Sequence, residues 1–148
     1  MTDASLTSLV ADLFAAIQML SGYAPPTVPP EIHRVPQVEI QQQICHSPCQ
    51  IKAYYDATHG VYIDESLNVV EDPFARSILL HELVHHVQAV SGRFDLMSSD
   101  CVRQNTAEAE AYALQNRYLM SINAGSRVSM SGWAARCAES EVPTPTRR

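Results

Sequence analysis

Hydrophobic residues recur at intervals of three and four near the start of the chain, and they comprise Leu6, Leu9, Val10, Leu13, Ile17 and Leu20. This spacing predicts an amphipathic helix within residues 1–22, with Asp3 or Ser5 as its cap and Gly22 after its end. We expect the apolar stripe to pack into the fold rather than to bind a membrane or a partner. The prolines of residues 23–31 then predict a stiff, extended connector.

A two-residue alternation of hydrophobic and polar positions follows the connector and predicts a small, mostly antiparallel sheet. Val38, Ile40 and residues 42–44 alternate in this way, which predicts a strand. Residues 51–55 and 61–63 alternate on either side of a polar turn, which predicts a β-hairpin. Strands of this kind beside helical segments indicate an α+β fold.

A long apolar segment after the hairpin predicts a helix that is buried nearly all round. Asp72 and Pro73 provide a cap and a first-turn proline, and no further glycine or proline occurs before Gly92. A second helix is predicted over about residues 106–122, and a short third helix over residues 133–138.

The length of the chain places these elements in a single domain over residues 1–148, with a core over 32–125 and a C-terminal segment over 126–148. We expect the tail from residue 142 onwards to be disordered. A chain of this size buries roughly two thirds of its unfolded surface. It can therefore fold without a metal, and any metal site would serve function.

The charge pattern argues against two classes of partner. Ten Lys and Arg face sixteen Asp and Glu, for a net charge of −6, and the cations are scattered singly. A phosphate backbone needs a basic stripe, so we expect no nucleic-acid partner. No uninterrupted apolar run approaches the roughly 18 to 20 residues of a membrane span, and no Lys or Arg precedes the first apolar segment as in a signal peptide. We expect no membrane span.

The predicted buried helix contains the pattern His-Glu-x-x-His at residues 81–85. Two imidazoles four residues apart project from one helical face, about 40° apart, and can share a tetrahedral ion, while the Glu after the first His can reach a water on that ion. The neighbouring side chains are apolar, so His81, Glu82 and His85 need polar partners, which a metal supplies. The alternative is a set of core or surface histidines without a metal.

A third ligand is expected from the second helix. At 100° per residue, Glu108 falls within the apolar face of that helix, whereas Glu110 falls outside it, on the side of Arg117. We therefore predict Glu108 as the ligand. An alternative remains, because Asn105 and Glu108 have the spacing of a capping box. If the helix begins at Asn105, Glu110 becomes the better ligand.

The motif of residues 81–85, with Glu108-x-x-Ala111-Tyr112 on a following helix, resembles the gluzincin branch of zinc metallopeptidases. The resemblance is to its minimal single-domain members and covers about residues 50–122. It implies a zincin-like fold, in which a small sheet packs on the active-site helix and a second ligand-bearing helix. Many gluzincins place Asp or Asn four residues after the ligand Glu, and Tyr112 stands there in this chain.

The resemblance implies a zinc-dependent peptidase that acts on a peptide or protein substrate. His81, His85 and Glu108 would hold Zn²⁺, and Glu82 would accept the proton of the zinc-bound water and pass it to the leaving amine. It also implies that the strand at Val61–Asp64 forms a sheet edge for an extended peptide. The alternatives are a catalytically silent zinc-binding interaction module and a zinc hydrolase of another amide or acyl bond.

The group that would stabilise an oxyanion is harder to assign from the sequence. Tyr112, Tyr62 and His59 are candidates, and each also suits a packing or turn role. His86 lies 100° round the helix from His85, so we expect it to support a ligand or to face solvent rather than to bind the metal.

Four cysteines allow three disulfide pairings. We interpret them as Cys45–Cys49, which closes a small loop, and Cys101–Cys137, which ties the second helix to the C-terminal segment. This interpretation predicts an extracytoplasmic protein, periplasmic or secreted. The alternatives are a second metal site at Cys45, His46 and Cys49, and four reduced thiols in a cytoplasmic protein.

Overall fold

The computed structural model describes residues 2–45, 49–129 and 137. These residues form an α+β fold with four α-helices, one π-helical turn and a three-stranded mixed sheet. The helices are α1 Asp3–Ser21, α2 Gln37–Ile40, α3 Pro73–Ser91 and α4 Asp100–Ser121, and the π-helical turn is Gln41–Cys45. The strands are β1 Ile32–Val35, β2 Ala53–Asp56 and β3 Gly60–Asp64. The predicted helix over residues 133–138 and the predicted tail from residue 142 lie outside the described residues.

The predicted N-terminal helix is confirmed as α1. Its cap is Thr2, whose hydroxyl accepts the Ser5 backbone N–H at 3.1 Å, rather than Asp3 or Ser5, and Gly22 closes the helix at a φ of 84°. By length and composition α1 could cross a membrane. Its inner face packs against α3 and α4, and the residues that it buries in the core are Val10, Leu13, Phe14 and Ile17.

The sheet has the order β1-β3-β2, with β1 parallel and β2 antiparallel to β3. The predicted hairpin is therefore confirmed, while the sheet is mixed rather than mostly antiparallel. The predicted free edge at Val61–Asp64 is wrong, because β3 lies in the centre and pairs on both sides. Within the described residues, the edge strands of the sheet are β1 and β2, and β2 is the hairpin partner of β3.

The predicted strand over residues 38–44 is wrong, because those residues are helical. Gln37 and Gln41 are four residues apart and share one helical face, from which both side-chain amides donate to the carbonyl of Cys49, at 3.3 and 3.2 Å. Ile40, on the same helical segment, is fully buried. The strand of this region is β1, which ends at Val35 immediately before Pro36.

The helix that carries the His-Glu-x-x-His pattern is confirmed as α3. The Asp72 side chain accepts the Phe74 N–H at 2.9 Å, Pro73 occupies the first turn, and Gly92 ends the helix at a φ of 67°. The helix is buried on nearly every side. It packs against α4, α1 and the sheet.

The second predicted helix is confirmed as α4, but it begins at Asp100, six residues earlier than expected. Its cap is Ser99, whose hydroxyl accepts the Val102 N–H at 3.2 Å. Asn105 therefore lies inside the helix and does not cap it. This removes the capping-box role that would have occupied Glu108.

Both predicted disulfides, Cys45–Cys49 and Cys101–Cys137, are present and no cysteine is free. The first closes the loop between the π-helical turn and β2. The second fastens the first turn of α4 to the C-terminal segment.

Candidate functional site

Two histidines of α3 and one glutamate of α4 converge where these helices pack together. The Nε2 atoms of His81 and His85 lie 3.2 Å apart, and Glu108 Oε1 lies 3.3 Å from His81 Nε2 and in short contact with His85 Nε2. One nitrogen or oxygen from each side chain lies within 4.8 Å of the others. The structure thus brings together the three residues predicted as metal ligands.

The hydrogen bonds of Gln88 determine which nitrogen of His85 carries a proton. The Gln88 amide nitrogen donates to the backbone carbonyl of Ala107 at 2.9 Å and to Glu110 Oε1 at 3.1 Å. Both partners are acceptors, so the orientation of the amide is fixed. Gln88 Oε1 then faces His85 Nδ1 at 2.9 Å, and this nitrogen must donate. The Nε2 atom of His85 is left with its lone pair directed at Glu108.

A second chain of hydrogen bonds determines the tautomer of His81 in the same way. The Ser77 hydroxyl donates to the Phe74 carbonyl at 2.6 Å and therefore accepts from the Gln115 amide nitrogen at 3.0 Å. Gln115 Oε1 then accepts from His81 Nδ1 at 3.0 Å. The Nε2 atom of His81 is also left as an acceptor.

Three acceptors therefore face one another: two imidazole nitrogens and a carboxylate oxygen. Burial lowers the pKa of His85, but the hydrogen bond to Glu108 and the negative charges of Glu82 and Glu108 outweigh burial and raise that pKa to about 9. Burial raises the pKa of Glu108, but its interactions with His81 and His85 outweigh burial and lower that pKa to about 2. The arrangement requires a positive charge at its centre, which is a proton on His85 or a metal ion.

Glu82 lies beside this cluster and is only 8% exposed. Burial raises the pKa of its carboxyl group. Among the described residues no group hydrogen-bonds to this carboxyl, although buried carboxylates are normally paired. Glu82 lines the same cleft as the two histidines, so it is free to act on a molecule bound there.

The alternative ligand, Glu110, points away from the histidine pair. Its carboxylate accepts from the Tyr23 hydroxyl at 2.5 Å and from Gln88 at 3.1 Å, and it pairs with Arg93 Nε at 3.2 Å. Glu108 and Glu110 are two residues apart on α4, which is about 200° round the helix, so their side chains point in nearly opposite directions. The structure places Glu108, and not Glu110, at the cluster.

A cleft of about 1210 Å³ opens over the cluster. Strand β2 forms one wall and α4 the other, and much of the lining is apolar: Ile44, Ile51, Phe74, Ile78, Phe94 and Val128. The Asp64 N–H donates to the Lys52 carbonyl at 2.8 Å, so Lys52, Tyr54 and Asp56 bond towards β3. The backbone groups of Ala53 and Tyr55 then point outward, and within the described chain they have no hydrogen-bond partner.

Comparison with known protein families finds a match over most of the chain. The family model of a domain of unknown function, DUF6647, matches residues 3–144. The chain belongs to the DUF6647 family. No curated protein and no solved structure shows significant similarity to it. This family has no assigned function.

Tyr112 is the one oxyanion candidate of the DUF6647 chain that lies at the cluster. Its ring centroid is 4.4 Å from that of His81, and it lines the cleft. Burial and the charges of Glu108 and Glu82 raise the pKa of its hydroxyl. Tyr112 thus lines the same cleft as Glu82 and Glu108 and contacts the ring of His81.

The other residues considered from the sequence lie elsewhere. Tyr62 stacks on Tyr54, with ring centroids 4.7 Å apart, on the sheet face opposite α3. His59 belongs to the hairpin turn. His86 Nδ1 lies 3.0 Å from the Tyr55 hydroxyl, so this nitrogen faces the sheet rather than the cluster.

Sequence reasoning missed Gln88 and Gln115, which orient the two imidazoles. A signal was present for each. Gln88 follows His85 by three residues on the same helix, and Gln115 follows Glu108 by seven residues, two turns along one helical face. Both side chains are at least 95% buried, and a buried amide requires polar partners.

Proposed function

We propose that this protein is a zinc-dependent metallopeptidase of the gluzincin type with a zincin-like fold. The observation that carries the proposal is the convergence of His81 Nε2, His85 Nε2 and the Glu108 carboxylate beside the buried carboxyl of Glu82. The distances and the fixed tautomers support a metal centre, and the free carboxyl supports a hydrolase. A site that only bound zinc for stability would have no need of Glu82.

The donor set fits zinc. Two imidazole nitrogens and one carboxylate are a ligand set of catalytic zinc sites, which leave a fourth position open. Each imidazole donates its Nδ1 proton to a glutamine carbonyl oxygen, as metal-binding histidines do to their supporting groups. When bound, zinc would supply Lewis acidity that activates a water and polarises the scissile carbonyl.

Glu82 and Tyr112 would carry the protein's part of the reaction. The Glu82 carboxylate would take the proton from the attacking water and deliver it to the leaving amine, so that one carboxyl serves first as base and then as acid. The Tyr112 hydroxyl would donate a hydrogen bond to the oxygen on which negative charge develops. His81 and His85 would hold the metal and keep their own Nδ1 protons.

The cleft supports a peptide as the substrate. The outward N–H and C=O groups of Ala53 and Tyr55 can pair with an extended backbone, which would add a strand to the edge at β2. The apolar lining of the cleft suits hydrophobic side chains on either side of the scissile bond. The edge that the substrate would use is thus β2, not the strand at Val61–Asp64.

The two disulfides are typical of proteins from oxidising compartments. A periplasmic or secreted location is part of the proposal, and a peptidase that works there is exposed to peptides outside the cytoplasm. Detecting both disulfides in protein isolated from its native compartment, by mass spectrometry without reduction, would test this location.

Replacement of Glu82 by Gln tests the proposed function. The Glu82→Gln variant should bind one zinc ion as tightly as the wild type and should lose about 10²- to 10⁴-fold in the hydrolysis of peptides, measured by mass spectrometry on a mixed peptide library. Glu65→Gln is the matched control, because Glu65 is exposed and lies outside the cleft. Hydrolysis at the wild-type rate by Glu82→Gln would contradict the proposal.

A further inference from the structure

Glu110 lies at the centre of a hydrogen-bond network that joins three parts of the fold. Its carboxylate receives the Tyr23 hydroxyl from the segment after α1, the Gln88 amide from α3 and the Arg93 guanidinium from the loop after α3. Three donors on one carboxylate satisfy most of its acceptor sites. The carboxylate is 23% exposed on its side chain, so the network lies at the edge of the core.

The network reaches the cluster through Gln88. An amide presents an oxygen on one side and a nitrogen on the other, and the two orientations differ only in which neighbours they satisfy. The Ala107 carbonyl and the Glu110 carboxylate both require the nitrogen, so together they direct the Gln88 oxygen to His85 Nδ1. A negative charge on one of these acceptors strengthens the preference, since charge-assisted hydrogen bonds are the stronger kind.

We propose that Glu110 is a positioning residue for the metal centre, which fixes the tautomer of His85 through Gln88. Tyr23 and Arg93 hold Glu110 in place, so the segment after α1 contributes to the affinity of the site although it does not reach the cleft. The inference rests on the proposed function, because it assumes that His85 Nε2 binds a metal.

The arrangement at His81 shows what Glu110 adds. The chain of hydrogen bonds from His81 runs through Gln115 and Ser77 and ends at the Phe74 carbonyl, entirely between neutral groups of α3 and α4. It needs no residue from outside these helices. A change at Glu110 should therefore alter the environment of His85 and leave that of His81 unchanged.

Zinc affinity and imidazole NMR together test the proposal. Zinc binding to the full chain is measured by competition with a chromogenic chelator for the wild type, Glu110→Gln and the control Glu65→Gln. Loss of a group that supports a metal-binding histidine typically costs about 10- to 100-fold in metal affinity. Because Glu110 supports His85 only through Gln88, whose nitrogen Ala107 also holds, we expect a loss of about 10-fold for Glu110→Gln, the lower end of this range, and none for Glu65→Gln.

The ¹⁵N-detected imidazole spectrum of the zinc-loaded protein provides a readout that a merely structural role would not move selectively. In Glu110→Gln we expect the Nδ1 proton of His85 to exchange faster with solvent or to shift, while the Nδ1 signal of His81 stays in place. Wild-type zinc affinity together with an unchanged His85 signal would overturn the proposal. So would an equal disturbance of both histidines.

Tyr23→Phe keeps the experiment decisive if Glu110→Gln does not fold. This variant removes only the hydroxyl that donates to Glu110, and we expect a loss of zinc affinity in the same direction but smaller, with the same selective change at His85. Wild-type affinity and spectra in Tyr23→Phe would then overturn the proposal. Failure of the wild type itself to bind zinc would instead refute the proposed function, so the two failures are distinguishable.

Discussion

The two histidines of the cluster are held in the same tautomer by supports of different kinds. His81 is anchored by a neutral chain that stays within α3 and α4 and ends on a backbone carbonyl. His85 is anchored by Gln88 and, beyond it, by the charged carboxylate of Glu110, which also binds groups from outside the helix pair. The same tautomer is thus held at His81 by neutral groups within two helices, and at His85 by a network that includes charged groups from outside them.

The difference shows where the site is sensitive. A buried neutral chain is shielded from salt and pH, because none of its members carries a charge and water does not reach it. A partly exposed carboxylate depends on the placement of its partners, which here come from outside the two helices. We therefore expect the support of His81 to determine whether the metal site forms, and the support of His85 to adjust how tightly that site binds zinc.

Loss of the ligand shared by both histidines should have the largest effect on zinc. Glu108→Gln removes the negative ligand that contacts both imidazoles, and we expect zinc affinity to fall by more than the roughly 100-fold that loss of a supporting group reaches. Chelator competition measures the loss. Glu110→Gln serves as the comparison on the same helix, and a larger loss in Glu110→Gln than in Glu108→Gln would exchange the roles of the two residues.

Tyr112 contacts the ring of His81. Its replacement distinguishes an effect on the reaction from an effect on metal binding. Tyr112→Phe removes the hydroxyl but keeps the ring against His81, so zinc affinity should stay within about twofold of the wild type. Loss of one oxyanion donor typically lowers kcat by about 10²- to 10³-fold, and we expect a decrease in this range with a small change in KM. Full kcat in the zinc-loaded variant would exclude Tyr112 from the reaction.

Replacement of Gln115 tests the neutral hydrogen-bond chain that runs from His81 to the Phe74 carbonyl. Gln115→Leu keeps the approximate volume but leaves the His81 Nδ1 proton and the Ser77 hydroxyl without their partner, and we expect a 10- to 100-fold loss of zinc affinity. The unsatisfied buried groups should also lower the free energy of unfolding by about 1–3 kcal/mol, measured by urea denaturation of the metal-free protein. If the loss of zinc affinity disappeared at high salt, the support of His81 would depend on charge, which would contradict this description of the chain.

The pH dependence of the metal-free protein should be the smallest effect and should come from the His85–Glu108 pair. The pKa of His85 is raised from 6.5 to about 9, so its contribution to stability is complete below pH 6.5 and is lost as the pH rises through 9. The pKa of Glu108 is lowered from 4.5 to about 2, so its contribution is complete above pH 4.5 and is lost as the pH falls through 2.

These two shifts predict that the Tm of the metal-free protein decreases as the pH rises from 6.5 to 9 and as it falls from 4.5 to 2, and the raised pKa of Glu82 adds a decrease that begins above pH 4.5. In the zinc-loaded protein the metal replaces the extra proton of His85, so Tm should not decrease over the same upper range. Differential scanning calorimetry on both forms measures this. A parallel decrease in both forms would mean that some other group titrates.

Much of the fold follows from local signals in the sequence. Helix α1 has apolar periodicity and α3 has a long apolar run, each with a cap at one end and a glycine at the other, and the hairpin has alternation on both sides of a polar turn. Residues 38–44 show why such signals fail over short runs. Their alternation is compatible with a strand, but Gln37 and Gln41 bond to the distant Cys49 carbonyl, which favours the helical form.

The site could be predicted as far as it is local. His81, Glu82 and His85 follow from one helical turn, and Glu108 follows from the apolar face of α4. The direction of Glu110 and the orienting role of Gln115 depend on how α4 packs against α3, which no spacing within one helix determines. Local sequence patterns do not determine the order of the strands either. The predicted edge was therefore assigned to β3, although β2 is the edge strand that borders the cleft.

Anomalous diffraction at the zinc edge, on crystals of the full chain grown with zinc, tests the central claim most directly. We predict one strong peak at about 2.0–2.2 Å from His81 Nε2, His85 Nε2 and a carboxylate oxygen of Glu108, with both Nδ1 atoms still bonded to Gln115 and Gln88. A peak held through either Nδ1 atom or through Glu110, or no peak at the cluster at all, would contradict the account.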